Sequence, residues 1–248
     1  MKSLIRTLSV IAIAFLATAA FAQHPKGSLP PEATVPHLDI DVNDPCAIPA
    51  LFAKNGVPYI KIGIADWPMQ FPYSPDTSFG IAYTDNAVLL HFAVNEDDVR
   101  AFVDRDNGRE YSDSCVELFM MPSEEDGIYY NFEINCLGFV HLAAGTFRNK
   151  REMSSPEVLS GIRRWTTLGN EAFGRLTRNT TWELALVIPL SSFYKHNITS
   201  LKGMTFRCNA YKCGGTDGYM HYLSLFPITT PAPDFHRPEF FKPFYFAE

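Results

Sequence analysis

Residues 110–138 read EYSDSCVELFMMPSEEDGIYYNFEINCLG, and no other stretch limits the fold as strongly. Two runs alternate with period two, which is the signature of strands. They cover residues 112–121 and 128–136, and the segment between them, PSEEDG, has the Pro, acids and Gly of a loop. In the second run Tyr130, Phe132, Ile134 and Cys136 share one face, suited to a core. Tyr129, Asn131, Glu133 and Asn135 share the other, where side chains recur about every 7 Å. An amide, a carboxylate and an amide in a row suit bidentate hydrogen bonding to vicinal hydroxyls, or a cation. The competing reading is an ordinary wet sheet face.

The same signal recurs along the chain. Residues 79–83 and 87–95 form a hairpin about Asp85-Asn86. Further strands are expected at 59–65, 139–145, 163–168, 182–188, 204–212 and 219–224. In 204–212, Arg207, Asn209 and Tyr211 share a face. Residues 96–100 leave the sheet, 146–151 read as basic and exposed, and 213–217 as a turn. One short helix is expected at 47–54, stopped by Asn55-Gly56, and a loop or helical turn at 155–162. The Pro- and Phe-rich end places 240–246 across the sheets. With about ten short strands, no long amphipathic helix and no internal repeat, the fold class is all-β, an antiparallel β-sandwich.

Residues 1–22 read as a signal peptide. Lys2 and Arg6 precede an apolar run at 8–19, and Ala20-Phe21-Ala22 is a cleavage site. The run is too short to anchor in a bilayer, so the chain is expected to be exported to the periplasm or beyond, with no membrane span in its mature form. Residues 23–45 are a Pro-rich lead-in, and 46–248 a single domain. The net charge of −6, without basic clusters, argues against nucleic acid or anionic membranes as partners. Five cysteines (46, 115, 136, 208 and 213) leave at least one unpaired within the chain. Cys208 and Cys213 could close a tight loop or be buried thiols. No C-x-x-C or Cys/His spacing points to zinc.

Three chemistries compete. Carbohydrate binding needs aromatic rings for C–H faces and planar polar groups for hydroxyls. Asn131, Glu133 and Asn135 would join Arg207, Asn209 and Tyr211 in one patch if their strands share a sheet. Trp165, between polar neighbours, is the aromatic platform, while Trp67 and Trp182 belong to the core. Glycoside hydrolysis would use Glu117 and Glu133 across the hairpin, since it needs two carboxylates about 5–9 Å apart. Non-covalent haem would draw on Met120, Met121, Met153, His141 and His221. The loop DRDNGRE offers Asp104, Asp106 and Glu110 as weak calcium ligands, but its Gly comes one position too early for an EF-hand.

The stretches ADWP, LLHFAVNEDDVRA, YSDSCVELFMMP, YYNFEINCLG, WELALVIPLSSF, CNAYKCG and PDFHRPEFF together resemble the family 9 carbohydrate-binding modules, over residues 59–246. They look most like that family's exported Bacteroidetes branch. The resemblance implies a DOMON-like β-sandwich, an oligo- or polysaccharide ligand and bound calcium. The best-known members hold a terminal sugar between two Trp rings. Here only Trp165 lies outside a core strand, so Tyr211 or Tyr129 would supply the second wall. Members often sit beside catalytic domains. The implied role is a binding or accessory protein working with separate glycan-degrading enzymes.

Overall fold

The computed structural model describes residues 33–216 and 218–248. The expected signal peptide lies outside the described residues, as do residues 23–32 of the lead-in. β1 (Ala33–Val35) is followed by a 3₁₀ turn (Pro45–Ala47) running into α1 (Ile48–Asn55). Then come β2 (Tyr59–Lys61), β3 (Ile64–Ala65), β4 (Asp76–Tyr83), β5 (Ala87–Glu96) and β6 (Val99–Ala101). A 3₁₀ turn (Glu110–Ser112) precedes β7 (Cys115–Met121), β8 (Tyr129–Asn135), β9 (Val140–Gly145) and β10 (Arg151–Met153). After α2 (Pro156–Gly161) follow β11 (Arg163–Thr166), β12 (Gly174–Leu176), β13 (Thr180–Pro189), β14 (Thr205–Gly214), β15 (His221–Ser224) and β16 (Lys242–Phe246).

Two sheets face each other as the antiparallel sandwich that the alternation predicts. One has the order β1-β16-β14-β7-β8-β9-β10, with β15 pairing β14 and carrying β3. The other has the order β11-β13-β5-β4-β2, and β6 pairs with β12 as a small ribbon. Among the described strands only β1 runs parallel to its neighbour, β16. The strand expected at 59–65 breaks in two because the chain changes sheets: β2 pairs β4, and β3 pairs β15. Nor is the lead-in a loose tail throughout, since Ala33 and Val35 are buried at the sheet edge.

The inner faces supply the main core. Leu118 and Met120 of β7, Phe132 and Ile134 of β8, Phe79 of β4, Phe92 of β5 and Trp182 of β13 all belong to it. Phe79 and Phe92 stack with centroids 5.5 Å apart. α1 covers the outside of the five-stranded sheet, burying Ile48 and Phe52 against Leu89 and Val187. Gly56, at φ 65°, stops α1 in the left-handed region, where glycine carries no Cβ penalty. Gly80 of β4 lets the helix come close, since a Cβ there would lie 2.8 Å from the Phe52 ring.

The outside of the nine-stranded sheet is also covered. Ile228, Phe235 and Phe241 from the C-terminal segment, with Trp67, pack on Phe119, Tyr129 and Tyr211. The polar face of the central hairpin is therefore an interior layer and not a wet surface. Residues 240–246 straddle the sheet as expected, with Phe241 outside and Phe244 and Phe246 inside. Cys208 and Cys213 lie on opposite faces of β14 and cannot close a loop. All five cysteines carry free thiols. Trp67 and Trp182 are core residues, each with its indole N–H satisfied, by the Thr230 carbonyl at 2.7 Å and by Glu96 at 2.8 Å.

Candidate functional site

Strand register assembles the site. Tyr211 of β14 lies opposite Glu117 of β7, Glu117 opposite Glu133 of β8, and Glu133 opposite His141 of β9. Partners directly opposite on a sheet project to the same side. Four consecutive strands thus present one continuous row on the outer face. A second row, Cys213, Cys115 and Asn135, runs beside it.

A cavity of about 420 Å³ opens over this floor. Glu117, Glu133, His141 and Cys213 form its base. Arg148 and Arg151 close one side, and Tyr111, Tyr222, Asp234, Phe235 and His236 the others. Phe235 is held flat against Tyr211, with centroids 4.2 Å apart at 7°.

The charges are concentrated and poorly solvated. Glu133 Oε1 accepts from Asn131 Nδ2 at 2.8 Å and lies 3.7 Å from Arg151 Nη1. Burial lifts its carboxyl to about 7, with Arg151 pulling the other way. Burial holds Glu117 well above the usual carboxylate range, and the neighbouring Cys213 and Glu133 add to this. His236 is pushed down to about 2 by burial and then by Arg151 and Arg148. It is therefore neutral. Its Nδ1 is 2.9 Å from the Tyr129 hydroxyl and its Nε2 3.9 Å from Glu133. His141 is lowered by burial and by Arg151. The cavity thus offers guanidinium and imidazole donors beside carboxyl groups, between aromatic edges.

The expected patch comes together on one face of one sheet, but its members do different things. Glu133 lines the cavity. Asn131 lies beneath it and orients it. Asn135 spends its whole amide on the fold: Nδ2 donates to the Val103 carbonyl (2.9 Å) and Asp113 (3.1 Å), and Oδ1 accepts from Leu137 N (3.2 Å) and Phe139 N (3.0 Å). Asn209 is committed in the same way to Phe226 and Ala210 N. Tyr211 is buried beneath Phe235 and donates to its carbonyl at 3.1 Å. Arg207 pairs with Glu124 and the Phe241 carbonyl. Trp165 lies on the other sheet, where it lines a separate cavity of about 310 Å³ with Phe139 and Arg164.

The calcium expectation does not fit the loop. Asp106 pairs with Arg164 and accepts from Val140 N at 2.9 Å. Glu110 is buried, accepts from Gly108 N at 3.1 Å, and is raised to about 7 by burial. Asp106 and Glu110 thus spend their carboxylates on the fold, and among the described residues the ligand atoms of Asp104, Asp106 and Glu110 do not converge as a set. The haem candidates are dispersed: Met120 is in the inner core, His141 on the outer face and Met153 exposed. Arg148, Arg151, Tyr222, Phe235 and His236 carry no local sequence signal that marks them as site residues, and His141 stands in the sequence only as a haem candidate. Arg151 lies in a stretch that reads as basic and exposed, yet its side chain is turned onto Glu133. Strand parity after the hairpin could have placed His141 on the right face.

Residues 46–246 match the profile of carbohydrate-binding family 9, and the chain belongs to that family. A crystal structure of a Bacteroides uniformis protein to which carbohydrate binding is ascribed is 38% identical, with a TM-score of 0.83, covering 87% of this chain and 98% of that one. Two family 9 modules from Caldicellulosiruptor kristjanssonii, in complex with glucose and with cellotriose, are each 15% identical, with TM-scores of 0.54 and 0.57. Each alignment covers 87% of this chain, and 95% and 93% of those modules respectively. At that identity the likeness is one of fold. No curated protein matches the chain. Among the described residues no helix is long and apolar enough to cross a membrane.

Proposed function

We propose that this is an exported, non-catalytic carbohydrate-binding module that seats a sugar in the cavity over Glu117 and Glu133. It would serve polysaccharide breakdown carried out by separate enzymes. The observation that carries this reading is the cavity itself. Arg151, Arg148, Asp234 and Glu133 offer charge-assisted hydrogen bonds to hydroxyls. Phe235 and Tyr222 offer faces and edges to C–H groups. A volume of about 420 Å³ lies in the lower part of the range for ligand pockets, roughly 300–1,000 Å³. That suits one or two sugar rings better than a long chain. Export rests on the composition of residues 1–22.

Calorimetric titration with glucose, cello-oligosaccharides and other neutral oligosaccharides tests this. Arg151→Ala and Asp234→Ala should each weaken binding about tenfold, equivalent to about 1.4 kcal/mol. Loss of binding after reduction of the sugar end to the alditol would mark chain-end recognition. No heat with any sugar overturns the proposal. A second reading places the sugar at Trp165, favoured by the cavity that Trp165 shares with Phe139 and Arg164. In that case Trp165→Ala abolishes binding and Arg151→Ala leaves it intact.

A further inference from the structure

Beneath the sugar cavity three side chains of metal-ligand type converge. Cys115 of β7 and Cys213 of β14 are register partners, and Glu117 follows two residues along β7 on the same face. Both sulfurs and a Glu117 oxygen lie within 4.8 Å of one another, with Cys213 Sγ 3.2 Å from Glu117 Oε1. All three residues are buried. Among the described residues this is the one set of His, Cys, Asp and Glu ligand atoms that closes so tightly. Glu117 and Cys213 also line the cavity, so the set has one open side.

We propose that Cys115, Glu117 and Cys213 bind a single thiophilic divalent cation of the zinc class at the floor of the cavity. The donor set selects the class. Two thiolates and one carboxylate suit zinc, whereas calcium and magnesium take oxygen ligands throughout. The spacing also fits, since tetrahedral zinc with bonds of about 2.0–2.3 Å places its ligand atoms roughly 3.5–3.8 Å apart. Three protein ligands leave a fourth position, which here faces the cavity, as in zinc sites that keep an exchangeable water.

The surroundings suit a cation with compensated charge. Three anionic ligands around a dication leave one net negative charge. Arg151 favours the ionised form of Glu117, and Lys212, whose Nζ donates to the Cys213 carbonyl at 2.9 Å while pairing with buried Glu96 at 3.0 Å, favours that of Cys213. Thiols and carboxyls bind such a cation in their deprotonated forms, so binding releases protons to solvent. The site shares Glu117 with the sugar cavity but does not rest on sugar binding.

The test is titration of the reduced, metal-stripped mature chain with cobalt(II), read by thiolate-to-cobalt charge-transfer absorption, followed by displacement with zinc. One equivalent should saturate the band. Cys213→Ser should abolish it, and Glu117→Gln should weaken binding at least tenfold. Cys208→Ser, a buried thiol on the opposite face, should leave it unchanged. No charge-transfer band in the wild-type chain overturns the site, whatever the variants do. So does an undiminished band in Cys213→Ser. Mass spectrometry and thiol titration of the aerobically purified chain supply a third arm. A Cys115–Cys213 disulfide that resists reduction in the folded state would also overturn it. Sugar titration of the same metal-free sample reads the sugar site separately, so either reading can fail alone.

Discussion

Glu117 and Glu133 stand directly opposite each other across β7 and β8, side by side on the floor of one cavity. Cross-strand partners have Cβ atoms about 4.5–5.5 Å apart, a spacing that at first sight fits a retaining glycosidase. The ionisation does not. A retaining glycosidase needs one carboxylate ionised as its nucleophile, whereas burial raises both Glu117 and Glu133. Incubation with a broad panel of glycosides should therefore release no reducing sugar, and bound oligosaccharide should be recovered intact. Release that disappears in Glu133→Gln would establish hydrolysis instead.

Glu110 gives a pH prediction. Burial raises its folded carboxyl from 4.5 to about 7. Between those values the folded state keeps a proton that the unfolded state has lost, so this group's contribution to stability falls as pH rises through the window. The bound on that loss is about 3 kcal/mol. Glu110→Gln removes the titration but keeps an acceptor for Gly108 N. In urea unfolding, the stability of the variant relative to wild type should grow between about pH 4.5 and 7. A gap that does not vary with pH would show that Glu110 titrates normally.

Gly80 holds open the space for Phe52. A Cβ 2.8 Å from that ring forces the helix or the ring to shift. Gly80→Ala should cost about 1–3 kcal/mol, as overpacking does. Phe52→Leu, itself destabilising, should make the Gly80→Ala penalty much smaller in a double-mutant cycle. Additive effects would mean that the two residues do not meet.

Asn135 is the keystone of the β8–β9 turn. Asn135→Ala leaves two N–H groups and the Val103 carbonyl without their side-chain partner. Each buried orphan costs about 1–3 kcal/mol, so a loss of about 3 kcal/mol or more is expected. Thermal unfolding reads it. Sugar affinity, corrected for the folded fraction, should stay within twofold of wild type.

The sandwich was legible because alternation is local: the parity of 129–136 and 204–212 assigned inner and outer faces correctly. Long-range coverage was not legible. Nothing in the polar row Asn131, Glu133, Asn135 announces that residues 228–241 will fold over it, so a layer that reads as wet is buried. The same limit hid the Cys115–Cys213 pair, which β14 brings together by pairing with β7 and which no short motif encodes. Trp165 was judged by its polar neighbours in sequence, while its place was set by the pairing of β11 with β13 on the other sheet. Arg151 and His236 reach Glu133 from segments that local patterns could not link to it.

The match to family 9 starts at residue 46, but the sheet starts earlier. β1 lies along β16, and Ala247 N donates to the Val35 carbonyl at 3.0 Å. A domain trimmed to residues 46–248 would keep its cavity, yet lose Ala33, Val35, Leu38 and Val42 from its cores and uncover a bare strand border on β16. Such borders recruit strands from other molecules. The shortened protein should therefore self-associate, and the three residues of β1 act as a built-in guard against this.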